Sequence, residues 1–85
     1  MAQVSMYCTA VCPYCTMAKR LLSRKGVTEI SEIRVDLEPQ KMSEMMQRTG
    51  RRTVPQIYID DFHVGGFDDL SELDQDGKLE PLLAK

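Results

Sequence analysis

At 85 residues the chain suits one domain with one modest core, burying about 60–65% of the unfolded chain's surface. Its 42% hydrophobic and 28% charged residues are ordinary for a soluble globular protein, and a net charge of -2 without a basic stripe argues against a nucleic-acid surface. No apolar run approaches the roughly 20 residues that span a bilayer, and the N-terminus lacks a basic-then-apolar signal pattern.

Val4, Met6 and Cys8 alternate with Gln3, Ser5 and Tyr7, which predicts a first strand over residues 3–8. After three intervening residues comes Cys12-Pro13-Tyr14-Cys15, followed by Met17, Ala18, Leu21 and Leu22 at helical spacing up to Gly26. Pro13 fits the first helical position, so Cys12 falls at the N-cap, where the free N–H groups of the opening turn favour a thiolate over a thiol. A free thiol of pKa about 8.5 is only a few per cent ionised at pH 7. A helix dipole supplies only about 0.3–1 kcal/mol, so direct N–H···S bonds must do most of any activation. Cys15 lies one turn in, on the side of Ala18 and Leu22, and is expected to be buried and less acidic. An open nucleophile beside a sheltered resolving thiol is what thiol–disulfide exchange requires.

Ile30 to Val35 reads as a second strand, and Met42, Met45, Met46 and Thr49 mark a helix opened by Pro39 and closed by Gly50. Those methionines are read as core filler. Pro55 to Ile59 and Phe62 to Val64 flank Asp60-Asp61 as a hairpin, with His63 expected to point outward. After Gly65-Gly66 a last helix is predicted from about Asp68, with an aspartate N-cap supported by Glu72, ending at Asp76-Gly77. Leu79, Leu82 and Leu83 are expected to pack as a tail. The order β-α-β-α-β-β-α implies an α/β fold, a four-stranded mixed sheet with helices on both faces, as one domain over residues 1–85.

Two further stretches carry alternatives. Thr53-Val54-Pro55 is either an ordinary proline at a strand start or a cis bond that turns the Val54 backbone toward an extended peptide ligand. Gly65-Gly66-Phe67-Asp68-Asp69 is either a glycine-permitted turn or a site whose N–H groups hold a carboxylate while an aspartate holds an ammonium. Arg51 and Arg52 are either a solvated loop pair or, falling just before Thr53, cations that meet an anionic ligand. The count of three cysteines, two of them in one Cys-x-x-Cys, fits a reducing cytoplasm better than a disulfide scaffold. Cys8 is read as a small buried hydrophobe, and no metal site is expected.

Together, Cys12-Pro13-Tyr14-Cys15, Thr53-Val54-Pro55 and Gly65-Gly66-Phe67-Asp68-Asp69, at these separations, resemble a dithiol glutaredoxin of the small bacterial type. The resemblance spans essentially the whole chain. It implies a thioredoxin-like fold, with Cys12 as nucleophile and Cys15 as resolving thiol. Glutathione would be a co-substrate, with no tightly bound cofactor. Its site would comprise Tyr14 beside the sulfur, Thr53, Val54 and cis Pro55 along the cysteinyl backbone, and Arg52 near the glycyl carboxylate. Gly66, Phe67, Asp68 and Asp69 would hold the γ-glutamyl end. The implied partners are disulfide-bearing or glutathionylated proteins, met by a cytoplasmic monomer. Family members commonly carry a lysine where this chain has Thr9, and many have a cysteine where Phe67 stands, whereas Cys8 is unusual. Two other functions fit the Cys-x-x-Cys: a carrier of a glutathione-ligated [2Fe–2S] cluster and a thioredoxin-type reductase fed by a flavoenzyme.

Overall fold

β1 (Val4–Cys8) is the strand on which the rest assembles. In the computed structural model, which describes residues 2–85, β1 pairs in parallel with β2 (Ile30–Arg34), Val4 opposite Ile30. On its other side β1 pairs antiparallel with β3 (Gln56–Ile59), Tyr7 opposite Gln56. β4 (Phe62–Gly65) completes a mixed sheet of order β2-β1-β3-β4. A parallel pair needs a long crossover, and α1 (Pro13–Arg24) supplies it between β1 and β2. α2 (Pro39–Thr49) joins β2 to β3, and α3 (Phe67–Gln75) and α4 (Leu79–Leu83) follow β4. Among the described residues no helix is long and apolar enough to cross a membrane.

The helical spacing in α1 turns Cys15, Ala18, Leu21 and Leu22 inward, onto Val4, Met6 and Cys8 of β1 and Ile57 and Ile59 of β3. Leu70 of α3 and Leu79 and Leu83 of α4 join the same core. A second cluster of Tyr7, Val35, Met45 and Tyr58 lies with α2 on the opposite face. The helices thus cover both faces, as the element order predicts. Being central, β1 is buried on both sides, so Tyr7 is as covered as Met6 although the two alternate.

Three expectations are corrected. α3 begins at Phe67 with Gly66 as its N-cap, not an aspartate; Asp69, three residues in, reaches back to accept the Gly66 N–H at 2.9 Å. The tail is itself a short helix, α4; Pro81 is its third residue, where the N–H would lack a helical partner anyway. His63 does not point into solvent. Its half-buried ring lies 5.1 Å from that of Tyr58, its partner across the β3–β4 ladder.

Candidate active site

The sequence places Cys12 where β1 hands over to α1, and the local backbone fixes what its sulfur meets. Pro13 takes the first helical position, leaving Cys12 extended at the N-cap with φ -147 and ψ 96. Its Sγ accepts the Cys15 N–H at 3.2 Å and lies 3.9 Å from the Val54 carbonyl oxygen. The approach to Cys12 is held from the side of β2, where Asp36 accepts the Ala10 N–H at 3.3 Å and pairs with Arg34 at 2.6 Å. Hydrogen bonds from Arg34 and the backbone hold the Asp36 carboxyl down at about 2. Nothing in the hydrophobic periodicity marks Asp36; only its place just past a strand end is legible.

The three thiols are free, and their surroundings differ. Cys12 is half-open, whereas Cys15 and Cys8 are 2% and 1% exposed. Burial pushes the Cys15 thiol up to about 12, with its hydrogen bond to the Cys12 sulfur adding to the shift. Burial likewise pushes Cys8 up to about 11, and its Sγ donates to Glu32 Oε1 at 3.5 Å. Lys19 from α1 pairs with the same Glu32 at 2.6 Å, so the carboxylate that Cys8 faces is ion-paired. At neutral pH both buried sulfurs are therefore thiols, which are poor nucleophiles.

Across from Cys12 the chain turns through Thr53-Val54-Pro55, and the Val54–Pro55 bond is cis. A cleft of about 350 Å³ opens beside it. One wall is Thr53, Val54 and Pro55; the other is Gly66, Phe67, Asp68 and Asp69 at the start of α3, with Tyr14 closing the end toward Cys12. Tyr14 and Phe67 stack with ring centroids 6.3 Å apart and planes 30° apart. The cation at this cleft is Arg51 rather than Arg52, which is exposed and does not line it. Arg51 Nη1 reaches Asp69 Oδ2 at 2.8 Å, and with the Gly66 N–H it holds the Asp69 carboxyl below the usual carboxylate range. Gly65, at φ +112, lies directly against this pair; a Cβ there would collide with the Asp69 carboxylate. Which of two adjacent arginines faces the cleft depends on the direction of the loop, a property that composition does not encode.

The arrangement joins an open sulfur held by a backbone N–H, a buried thiol one turn away, and a cleft lined by the Thr53–Val54 backbone, the Arg51–Asp69 ion pair and the Asp68 carboxylate. The glutaredoxin family model matches residues 4–64 of the chain. A glutaredoxin of Neisseria meningitidis serogroup A is 57% identical over 83 residues, covering 98% of this chain and 98% of the relative. Glutaredoxin 3 of Escherichia coli K12 is 53% identical, covering 98% and 99%. Among solved structures, the crystal structure of a buckwheat glutaredoxin–glutathione complex superposes with a TM-score of 0.89 at 32% identity, covering 98% of this chain and 77% of the other.

Proposed function

This chain belongs to the glutaredoxin family, and from that premise we propose that it is a thiol–disulfide oxidoreductase using glutathione to reduce protein–glutathione mixed disulfides. Cys12 is the nucleophile in this reading. Its sulfur attacks the glutathionyl sulfur of the substrate; the old S–S bond breaks, the protein leaves as a thiolate that takes a proton from solvent, and glutathione remains joined to Cys12. A second glutathione thiolate then attacks that glutathionyl sulfur, and glutathione disulfide departs with Cys12 regenerated as the thiolate.

Cys15 serves a second route, in which Cys12 first joins to one sulfur of a protein disulfide. Cys15 then attacks Cys12, giving a Cys12–Cys15 disulfide and a reduced protein, and two glutathione molecules restore the dithiol. Because burial keeps Cys15 a thiol up to about 12, external glutathione has the advantage in resolving the glutathionylated intermediate.

The cleft fits the co-substrate chemically. Glutathione carries two carboxylates and one ammonium on an extended backbone. Asp68 and Asp69 suit the ammonium, the unpaired N–H groups of the first turn of α3 suit a carboxylate, and the Thr53–Val54 edge suits the peptide. The observation that carries the reading is the Cys12 sulfur, held at 3.2 Å by the Cys15 N–H and 3.9 Å from the carbonyl oxygen of Val54, a residue that lines that cleft. A coupled assay on a glutathionylated peptide tests it. Turnover is expected with glutathione and glutathione reductase; turnover with a thioredoxin-reducing flavoenzyme alone would overturn the reading.

A further inference from the structure

Gln56 is the buried polar side chain in a core otherwise apolar among the described residues, at 0% exposure. It opens β3 directly after the Thr53-Val54-Pro55 loop, and its amide bends back over that loop. Nε2 donates to the Thr53 carbonyl at 2.9 Å and to Thr53 Oγ1 at 3.3 Å. The orientation of this amide is fixed by chemistry, since a flip would set its oxygen against the Thr53 carbonyl. Oε1 therefore faces away from the loop, toward His63 Nε2 at 2.8 Å, and the His63 nitrogen must carry the proton it donates.

His63 is itself held. Its ring packs on Tyr58, and the Arg48 guanidinium from α2 lies 4.1 Å from the centre of the Tyr58 ring. Burial and the nearby Arg51 hold the His63 imidazole below its usual range, so its Nδ1 stays unprotonated at neutral pH while Nε2–H remains the donor. A continuous series of contacts thus runs from α2 through Arg48, Tyr58, His63 and Gln56 to Thr53, and none of the four leading residues lines the cleft.

We infer that His63 and Gln56 are positioning residues that clamp Thr53, and with it the Val54 backbone edge, in the orientation that receives the glutathionyl peptide. This rests on the co-substrate reading above and adds to it the residues that set affinity without touching ligand. Losing one neutral hydrogen bond of this kind corresponds to roughly a three- to tenfold loss of affinity.

Three variants test the clamp: His63→Phe keeps a ring on Tyr58 and removes the donor, His63→Gln restores a donor, and Gln56→Met removes the amide at similar volume. In steady-state turnover of a glutathionylated peptide, His63→Phe and Gln56→Met are expected to raise KM by roughly three- to tenfold at unchanged kcat, and His63→Gln to return it toward wild type. Read without any ligand, the amide resonances of Thr53 and Val54 are expected to shift and to lose backbone order in the same two variants. An unchanged KM, or a fall in kcat shared equally by His63→Phe and His63→Gln, would overturn the inference. Wild-type protein inactive toward the peptide would instead contradict the co-substrate reading, and the ligand-free resonances then judge the clamp by itself: unchanged shifts and order overturn it.

Discussion

The face of the sheet under α1 and α3 is dry, whereas the face under α2 is built from polar and aromatic contacts. On the first, Met6, Cys8, Cys15, Leu22, Ile57 and Leu70 are all at most 2% exposed, and each of the methionine, leucine and isoleucine side chains adds about 1.5–3 kcal/mol by leaving water. On the second, the Tyr7 hydroxyl donates to Glu44 and accepts from Arg48, whose guanidinium lies against Tyr58. There the contributions are hydrogen bonds of about 0.5–1.5 kcal/mol and a cation–π contact of about 0.5–2 kcal/mol. The difference separates two tasks. The dry face keeps two of the three sulfurs protonated, so that reactivity is confined to the one at its rim. The polar face offers directional bonds, which can hold a loop in one orientation where apolar packing would let it slide.

The largest effect follows from that confinement. Cys12→Ser should reduce exchange to the uncatalysed background, whereas Cys15→Ser should keep deglutathionylation, because glutathione itself resolves the intermediate. Loss of activity in Cys15→Ser toward glutathionylated substrates would mean that the buried sulfur is needed in both routes. Next comes the dry face as a source of stability. Leu22→Ala, at a fully buried position in α1, should cost about 2–5 kcal/mol in denaturant unfolding without altering the alkylation rate of Cys12 in the folded protein. The polar face should respond less. Tyr7→Phe removes the hydroxyl shared by Glu44 and Arg48 but keeps the ring, and about 1–2 kcal/mol is expected, since both partners are open enough to rehydrate.

The last effect is confined to alkaline solution and concerns the pH dependence of stability. Cys8 is raised above the ordinary thiol range to about 11 in the folded chain, so its thiol form favours folding. That contribution is complete below the unfolded value and is lost as pH rises from the ordinary thiol range toward about 11, with Cys15 and Tyr7, also raised, acting in the same direction. The unfolding midpoint should therefore decline across this alkaline range, and Cys8→Ala should make the decline shallower. A slope unaffected by Cys8→Ala would assign the loss to Tyr7 and Cys15 alone.

Much of this was legible in the sequence because it is written in local rules. Pro13 and Pro39 at helix starts, Gly26 and Gly50 at helix ends, and period-2 or period-3.6 apolar spacing place every strand and the first three helices. The Thr53-Val54-Pro55 and Gly66-Phe67-Asp68-Asp69 stretches, 13 positions apart between Thr53 and Gly66, meet across one cleft because β3 and β4 form a hairpin between them. What was not legible depends on tertiary contacts. α4 is five residues around a proline, too short for periodicity to reveal, and is held by burial of Leu79 and Leu83. The N-cap of α3 moved to Gly66 because Arg51, from a distant loop, anchors the Asp69 carboxylate that caps it. His63 turned inward because Tyr58 and Gln56, on the neighbouring strand, offer a ring face and an acceptor that alternation along β4 cannot show.

The central claim, that one sulfur of three is the reactive one, is tested most directly by timed alkylation of the fully reduced protein. Iodoacetamide at about pH 6–7, followed by digestion and mass mapping, reports each thiol separately. Cys12, half-open and facing the Cys15 N–H at 3.2 Å, should be carbamidomethylated first. Cys15 and Cys8, raised to about 12 and about 11 by burial, should stay unmodified until the chain is unfolded. Modification of Cys15 or Cys8 ahead of Cys12 in the folded protein would contradict the assignment.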